Sequence, residues 1–130
     1  MIYFDSSFLA DYLRGHEYTR EFIEAHDDAA FFTTSVVLFE LGYGALKHPS
    51  PSETLRTVNE NVDWLQVDGF DADAANEAVT IQNELRDEGA VLSIPDVLIA
   101  GSVRSVDGTL VTGDSDFERV RDLDVKQIHR

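Results

Sequence analysis

Five acidic side chains lie where apolar segments of this chain end or are interrupted. Carboxylates are costly to bury unless they are paired or bind a cation. Sites built from oxygen ligands suit Mg²⁺ or Mn²⁺, which keep several waters and take a few carboxylates. Separate segments that each supply one acid therefore predict one shared site for a hard divalent metal. The acids are Asp5, Glu40, Asp96, Asp114 and Asp116.

Each acid also has an ordinary structural explanation. Asp5 could cap the helix that follows it, and Asp96 is a common first-turn acid. Asp114 and Asp116 could belong to a turn. Glu40 is hardest to explain in this way, because it interrupts an apolar helix where an acid has no capping role. Taken singly, the structural explanation is stronger for Asp96 and Asp116, but all five together favour a site.

The elements that must position these acids alternate between short strands and helices. Such alternation predicts a parallel α/β sheet covered by helices on both faces. Sites in these sheets form beyond the carboxyl ends of the strands, where Asp5 and Asp114 would lie. The predicted strands are 2–5, 30–33, 64–67, 109–112 and 124–128, and the predicted helices are 7–14, 18–26, about 35–46, one capped by Ser52 to about 62, 71–88, 95–105 and 115–120.

The composition fits one folded domain over residues 1–130. Hydrophobic residues make up 43% of the chain, which is typical of a folded protein. No apolar run approaches the roughly 18–20 residues that span a bilayer, and no basic leader precedes the first strand. The chain has no cysteine, and its four histidines are scattered without the spacing of a zinc site. We therefore expect a cytoplasmic protein that does not associate with a membrane.

The charge balance is strongly acidic. Twenty-five acids face ten bases, for a formal net charge of −15. Only two of the bases, Lys47 and Lys126, are lysines. A dispersed acidic surface with few lysines resembles that of proteins from salt-loving cells, in which concentrated salt screens self-repulsion.

Four segments resemble, in order, the four motifs of PIN-domain ribonucleases. They are MIYFDSSFL at 1–9, TTSVVLFEL at 33–41, IPDVLIA at 94–100 and LVTGDSDF at 110–117. The compact length resembles that of the VapC-type toxins of toxin–antitoxin pairs. This resemblance implies a PIN-like three-layer α/β/α fold with a central parallel sheet of four to five strands, often in a homodimer. It also implies an endoribonuclease that depends on Mg²⁺ or Mn²⁺.

The resemblance assigns roles to the acids. The acids that match Asp5, Glu40, Asp96 and Asp114 bind the metal in that family, and the one that matches Asp116 commonly assists. We expect one or two ions to activate a water that attacks an RNA phosphate. Further candidates are the hydroxyls of Ser6 and Thr112, which could orient ligands or water, and the bases Arg14, Lys47, His48, Arg86 and Arg104, which could contact phosphates.

A partner protein is also expected. Helical segments near the start of the chain carry more apolar side chains than a thin helical layer easily hides. A cognate antitoxin could lay apolar anchors there and place an Arg or Lys beside the acids. The apolar side chains are Phe8, Leu9, Tyr12, Leu13, Tyr18, Phe22, Ile23, Phe39, Tyr43 and Leu46.

Two alternatives from other classes stay open at this point. The run from Gly113 to Asp116 also resembles an acidic motif of haloacid-dehalogenase-like phosphatases, but these need a second Asp two residues after the first-strand Asp, where this chain has Ser7. The other alternative is a catalytically silent binding module with a PIN fold. Retention of all five acids argues against it.

The acidic surface predicts a dependence on salt. We expect the protein to unfold, or to lose cooperative unfolding, when KCl falls from about 1 M to about 0.1 M, because the Debye length grows from about 3 Å to about 10 Å. Thermal melts followed by circular dichroism across that range test this. A melting temperature that does not change would refute the adaptation to salt and leave the nuclease prediction intact.

Overall fold

Five parallel strands form one sheet in the computed structural model, which describes residues 1–128. The spatial order is β3–β2–β1–β4–β5, so the first strand of the chain lies at the centre. With helices on both faces, the protein is a three-layer α/β/α domain, as the sequence predicts. The strands are β1 (Ile2–Phe4), β2 (Phe31–Thr34), β3 (Gln66–Asp68), β4 (Thr109–Thr112) and β5 (Asp124–Gln127).

Within the described residues, six α-helices and one 3₁₀ helix connect the strands. Every predicted helix is present, with ends that differ by a few residues. No helix in this part of the chain is both long and apolar enough to cross a membrane. The helices are α1 (Ser6–Leu13), α2 (Glu17–Ala25), α3 (Ser35–Ala45), α4 (Pro51–Asn61), α5 (Ala72–Asp87), α6 (Ile94–Arg104) and the 3₁₀ helix Ser115–Arg119.

Two local predictions are wrong. Ser52 does not cap α4, because Ser50 precedes the helix and Pro51 takes its first turn. Proline suits that place, since the N–H that it lacks would have no partner inside the helix. Strand β3 begins two residues later than predicted. The Trp64 side chain donates a hydrogen bond from Nε1 to the carbonyl of Asn61 at 2.9 Å, and its ring packs edge-on against Phe4 and Phe31 of the sheet.

Aromatic packing against the central strand fixes one face of the sheet. The rings of Phe4 and Phe8 stack with centroids 4.2 Å apart, and both side chains are fully buried. Phe22 of α2 meets the Phe4 ring edge-on at 6.0 Å. Stacked and edge-on aromatic pairs of this kind add to the free energy gained by burial. They hold α1 and α2 against β1, so the chain leaves β1 in a defined direction.

Close packing of α5 against α6 fixes the other large contact. A Cβ atom added to Gly101 of α6 would lie 2.7 Å from the carbonyl oxygen of Ala74 and 2.7 Å from the Cβ of Ala78. Only glycine allows the two backbones to approach this closely. Because α6 carries Asp96, this contact also sets the position of the acid.

A substitution at this contact is expected to destabilise the domain. Gly101→Ala should lower the free energy of unfolding by about 1–3 kcal/mol, because the helices must separate to admit the methyl group. Gly44→Ala in α3 is the matched control, since nothing lies within 4 Å of the added Cβ. That helical substitution should be neutral or stabilise the protein by up to about 1 kcal/mol. Urea unfolding of both variants measures the difference, and equal stabilities would contradict the close approach.

Candidate metal centre

The ends of β1 and β4 bring the first acid to the carboxyl edge of the sheet. The two strands are parallel neighbours, with Phe4 paired with Val111. The backbone N–H of Asp5 continues the ladder and donates to the carbonyl of Val111 at 3.2 Å. Asp5 and Thr112 therefore leave their strands side by side, which is the placement that the sequence predicts for Asp5.

Asp5 is buried within a dense set of hydrogen bonds. Its side chain caps α1 by accepting from the N–H of Phe8 at 2.9 Å. The hydroxyl of Thr112 donates to Oδ2 at 2.5 Å. The hydroxyl of Ser7 lies 2.8 Å and 2.9 Å from the two carboxylate oxygens. The capping explanation of Asp5 is thus correct, and the same hydrogen bonds hold the carboxylate rigidly at the sheet edge.

Ser7 is a site residue that sequence reasoning missed. Besides its contacts with Asp5, its hydroxyl accepts from the N–H of Gly113 at 3.0 Å. Ser7 therefore ties the start of α1 to the loop that carries Asp114. The available signal is a hydroxyl two residues after Asp5, at the position where a phosphatase of the alternative class would carry its second Asp.

Three acids from two other segments form the closest cluster. Asp96, Asp114 and Asp116 each offer an oxygen, and these oxygens lie within 4.8 Å of one another. The Asp114 side chain caps the 3₁₀ helix by accepting from the N–H of Asp116 at 2.9 Å. The N–H of Asp114 in turn donates to the hydroxyl of Thr112 at 2.9 Å. Thr112 therefore contacts both sides of the site.

The cluster has a donor set that fits Mg²⁺ or Mn²⁺. Ligands on opposite sides of a Mg²⁺ ion, each at about 2.1 Å, lie about 4.2 Å apart. The three carboxylates need only small movements to reach that spacing, and their partial exposure leaves room for water ligands. Oxygen donors alone favour a hard cation over zinc. No histidine belongs to an acidic cluster within residues 1–128, while His129 lies outside the described residues.

Glu40 approaches the site from the α3 side. It lies in the second turn of α3 and is partly buried. The Ser6 hydroxyl donates to its Oε1 at 2.9 Å. Ser6 thus orients an acid, and its supporting role at the site stays a prediction.

Charge and burial act together on the acids. Burial first, and then the charge of Asp114, raise the pKa of Asp5 from 3.8 to about 6. Burial raises the pKa of Glu40, and the charge of Asp96 adds to the effect. Burial also raises the pKa of Asp96, with smaller contributions from Asp114 and Asp116. The acids are therefore close enough to repel one another, and a divalent cation would relieve that repulsion.

One of the predicted phosphate contacts is wrong. The Arg104 side chain is only 9% exposed and pairs with Glu77 and Glu84 at 3.4 Å and 3.3 Å. Its guanidinium also donates to the carbonyl of Arg121 at 2.9 Å, which joins α6 to the end of the 3₁₀ segment. Arginine in a helical pattern looks the same in sequence whether it pairs with neighbouring acids or faces solvent.

Two of the other predicted bases, Arg14 and Lys47, are exposed. Arg14 is 64% exposed and makes one long pair with Asp11 at 3.4 Å. The Nζ of Lys47 lies 5.5 Å from the centroid of the Tyr43 ring, past the end of α3. Because both side chains are exposed, they can contact a polyanion, even though Arg14 pairs with the buried Asp11.

A groove of about 1050 Å³ opens beside the acids. Helices α1 to α4 line it, and Ser6, Ser7 and Glu40 belong both to the groove and to the acidic site. The predicted apolar surface divides into three parts, of which one is partly buried and comprises Tyr12, Leu13, Tyr18 and Ile23. Phe8, Leu9 and Phe22 are buried in the core, whereas an exposed stripe on α3 and its end, which we call the α3 stripe, comprises Phe39, Tyr43 and Leu46.

The fold and the acidic edge together define a PIN domain. The family model described as PIN domain matches residues 2–123, so the chain belongs to this family. It belongs within it to the VapC-type toxin group, since it is 37% identical over 91 residues, 69% of each chain, to a protein of Shigella flexneri named tRNA(fMet)-specific endonuclease VapC. The Salmonella typhimurium protein of the same name is 34% identical over 88 residues, 67% of each chain. Membership in the PIN family displaces the phosphatase alternative.

Solved structures match the fold over nearly the whole chain. The crystal structure of VapBC2 from Rickettsia felis, bound to a DNA fragment from its promoter, matches with a TM-score of 0.91 at 22% identity, over 99% of this chain and 100% of that one. The DNA-bound VapBC structure from Salmonella typhimurium matches with a TM-score of 0.89 at 26% identity, over 97% of this chain and 96% of that one.

Burial of Asp5 predicts a pH dependence of stability in the absence of metal. Because the folded state holds the Asp5 proton more tightly than the unfolded chain, this residue makes stability fall as the pH rises from 3.8 through about 6. Asp5→Asn removes this contribution, so in EDTA the melting temperature of the variant relative to the parent should rise between pH 4 and pH 7. The exposed Asp28→Asn is the control for lost charge. Parallel curves for Asp5→Asn and the parent would contradict the raised pKa.

Proposed function

We propose that this chain is a metal-dependent endoribonuclease and the toxin component of a type II toxin–antitoxin pair. The single observation that carries the proposal is the cluster of Asp96, Asp114 and Asp116 at the carboxyl edge of a PIN-domain sheet. The curated relatives are named endonucleases that act on tRNA(fMet), which supports RNA as the substrate class.

The acids divide the work between holding an ion and shaping its surroundings. Asp96, Asp114 and Asp116 would hold Mg²⁺ or Mn²⁺ directly. Asp5, at the end of β1, would add its negative charge and bind the same ion or a second one. A divalent ion, when bound, lowers the pKa of a coordinated water and offsets the charge that develops on the leaving oxygen. Hydrolysis in this way leaves a 5′-phosphate and a 3′-hydroxyl.

The remaining side chains orient these groups. Thr112 and Ser7 fix Asp5 and the loop of Asp114, so these two acids are already held in place when an ion enters. Glu40, held by Ser6, borders the groove and can accept a proton from water or order a water molecule. Its raised pKa brings it nearer to the range in which a carboxylate works as a base.

The acidic surface makes the cation necessary for substrate binding as well as for chemistry. A chain with net charge −15 repels an RNA backbone at low ionic strength. We propose that the phosphate near the scissile bond binds through the metal, with exposed cations such as Arg14 and Lys47 as outer contacts. Concentrated salt would screen the remaining repulsion between the protein and RNA.

The nuclease proposal predicts strict dependence on the acids and on metal. Purified protein in high salt should cleave RNA with Mg²⁺ or Mn²⁺ and stop in EDTA. Asp5→Asn and Asp114→Asn should each lower the rate by at least about 100-fold, a loss of roughly 2.7 kcal/mol of transition-state stabilisation. Asp28→Asn, which loses the same charge at an exposed site, should keep the parent rate.

The outcomes separate the proposed enzyme from a silent binding module. Activity of Asp5→Asn equal to that of the parent would refute the assignment of the site. Binding of Mn²⁺ by the parent without any RNA cleavage would favour the silent module.

The groove beside the acids suits an antitoxin segment. It is lined by apolar residues such as Leu13, Ile23, Leu41 and Trp64, and it reaches the acidic site at Ser6 and Glu40. A peptide could therefore fill the groove with apolar anchors and extend an Arg or Lys to the carboxylates. Such a cation would compete with metal and shield the site from RNA. The similar structures include VapBC complexes and a toxin–antitoxin complex from Klebsiella pneumoniae, which supports a partner of this kind.

Purification from the native cell tests the partner. We expect a small protein to co-purify, to inhibit RNA cleavage, and to be displaced by substitutions in the groove such as Leu41→Glu. Overexpression of the chain alone should arrest growth. A protein that purifies alone, fully active and without growth arrest, would be a PIN nuclease outside the toxin–antitoxin group.

We also propose a homodimer in the cytoplasm. The α3 stripe exposes 68% of Phe39 and 57% of Tyr43, and the two rings stack 5.8 Å apart. Leu46 continues the same face of the helix three residues later. Exposed aromatic residues in a contiguous stripe are typical of a contact surface, and a second copy would cover it.

A further inference from the structure

The loop between α5 and α6, residues 88–93, is held by a side chain from each of two other segments. From α5, Gln82 donates Nε2 to the carbonyl of Leu92 at 2.8 Å, and its Oε1 accepts from the N–H of Leu92 at 3.0 Å. One primary amide thus satisfies both backbone polar groups of one residue, as a neighbouring strand would. The Leu92 side chain is 4% exposed, so the loop is anchored in the core at the same point.

Arg119, in the 3₁₀ helix, holds Val91, the residue that precedes Leu92. Its Nη1 donates to the carbonyl of Val91 at 3.3 Å, and its Nη2 pairs with Oδ1 of Asp116 at 3.1 Å. Residues three apart lie above one another in a 3₁₀ helix, which explains why Arg119 reaches Asp116. One guanidinium therefore joins Asp116 to the loop that leads to Asp96, and both of these acids belong to the cluster.

The loop determines where Asp96 lies. Ser93 follows Leu92 directly and caps α6, with its hydroxyl 3.4 Å from the N–H of Asp96. Any shift of residues 91 and 92 is therefore transmitted to the first turn of α6 and to the spacing between Asp96 and Asp116. We propose that Arg119 and Gln82 are positioning residues whose contacts with Val91 and Leu92 set the cation affinity of the acidic cluster. This inference rests on the proposed metal-dependent function.

The energetic effect is expected on metal binding and only weakly on folding. Arg119 and Asp116 are 43% and 46% exposed, and ion pairs at such exposure contribute about 0–1 kcal/mol to stability. Groups that orient metal ligands have larger effects on affinity, typically 10- to 100-fold. A carboxylate has two oxygens, so Asp116 can pair with Arg119 through Oδ1 and still offer an oxygen to an ion.

A competing role for Arg119 has the opposite sign. As a tethered cation beside Asp116, it could occupy the cluster and weaken metal binding, so its removal would tighten affinity. Removal of the positive charge would also make the acidic cluster attract the ion more strongly. Variants that leave the net charge unchanged avoid this second effect: Arg119→Lys keeps the cation but loses the planar fork that spans two partners, and Gln82→Met keeps the length of a neutral side chain without its hydrogen bonds.

Direct Mn²⁺ titration, by calorimetry or by the electron paramagnetic resonance of free Mn²⁺, tests the proposal on the purified full chain without RNA. Arg119→Lys and Gln82→Met should each weaken Mn²⁺ binding about ten-fold, the lower end of the range for residues that orient ligands. The melting temperature of Arg119→Lys in EDTA should stay at the parent value. Arg56→Lys is the control, since Arg56 is exposed on α4, away from the loop and the acidic cluster.

The readouts distinguish this inference from the proposed function. Mn²⁺ affinity of Arg119→Lys equal to or tighter than that of the parent overturns the positioning role, whatever the outcome for RNA cleavage. A parent that binds Mn²⁺ but does not cleave RNA refutes the nuclease and leaves the affinity comparison decisive. A parent that binds no Mn²⁺ overturns both.

Discussion

Burial of carboxylates at one edge of the sheet, with repulsion from neighbouring acids added to it, is the constraint on which the rest of this structure depends. Burial and neighbouring charge raise the pKa of Asp5, Glu40 and Asp96, so the folded chain stores unfavourable electrostatic energy at that edge. The arrangement persists because hydrogen-bond donors hold most of the acids. Thr112, Ser7 and the N–H of Phe8 hold Asp5, Ser6 holds Glu40, and Arg119 holds Asp116. The closely packed core supplies the free energy that offsets this repulsion.

Structural and functional roles coincide in these acids. Asp5 caps α1 and Asp114 caps the 3₁₀ helix, yet both lie at the proposed metal site. A helix cap uses some lone pairs of a carboxylate and leaves others available. The positive end of a helix also lowers the cost of keeping the acid ionised. In the folded protein, one acid can therefore cap a helix and still be available as a metal ligand.

The acidic surface makes the proposed site depend on its cation. An anionic enzyme that acts on an anionic substrate depends on its cation for both attraction and chemistry. A basic side chain from an antitoxin could exploit the same electrostatics, because it would neutralise the carboxylates without supplying a reactive water. The groove that meets the site at Ser6 and Glu40 provides a path for such a side chain.

The sequence by itself determined the class of fold and the positions of nearly all elements, and it predicts which acids form the site. Alternating apolar runs report local structure directly, because helix and strand periods depend on neighbouring residues. Acids placed after strands could be assigned to one edge because parallel strands end together. Trp64 shows the limit, since local alternation predicts a strand there, whereas its side chain bonds to Asn61 and packs against Phe4 and Phe31.

Only the tertiary structure decided which side chains hold the acids and which cations are available. Ser7, Gln82 and Arg119 act across gaps in sequence or through backbone groups, and such contacts leave no periodic signal. Arg104 matched the sequence expectation of a phosphate contact, but it pairs with Glu77 and Glu84 because α5 and α6 pack closely at Gly101. A charged residue in a sequence shows what it can bind, whereas its partner is selected by the packing of elements that are distant along the chain.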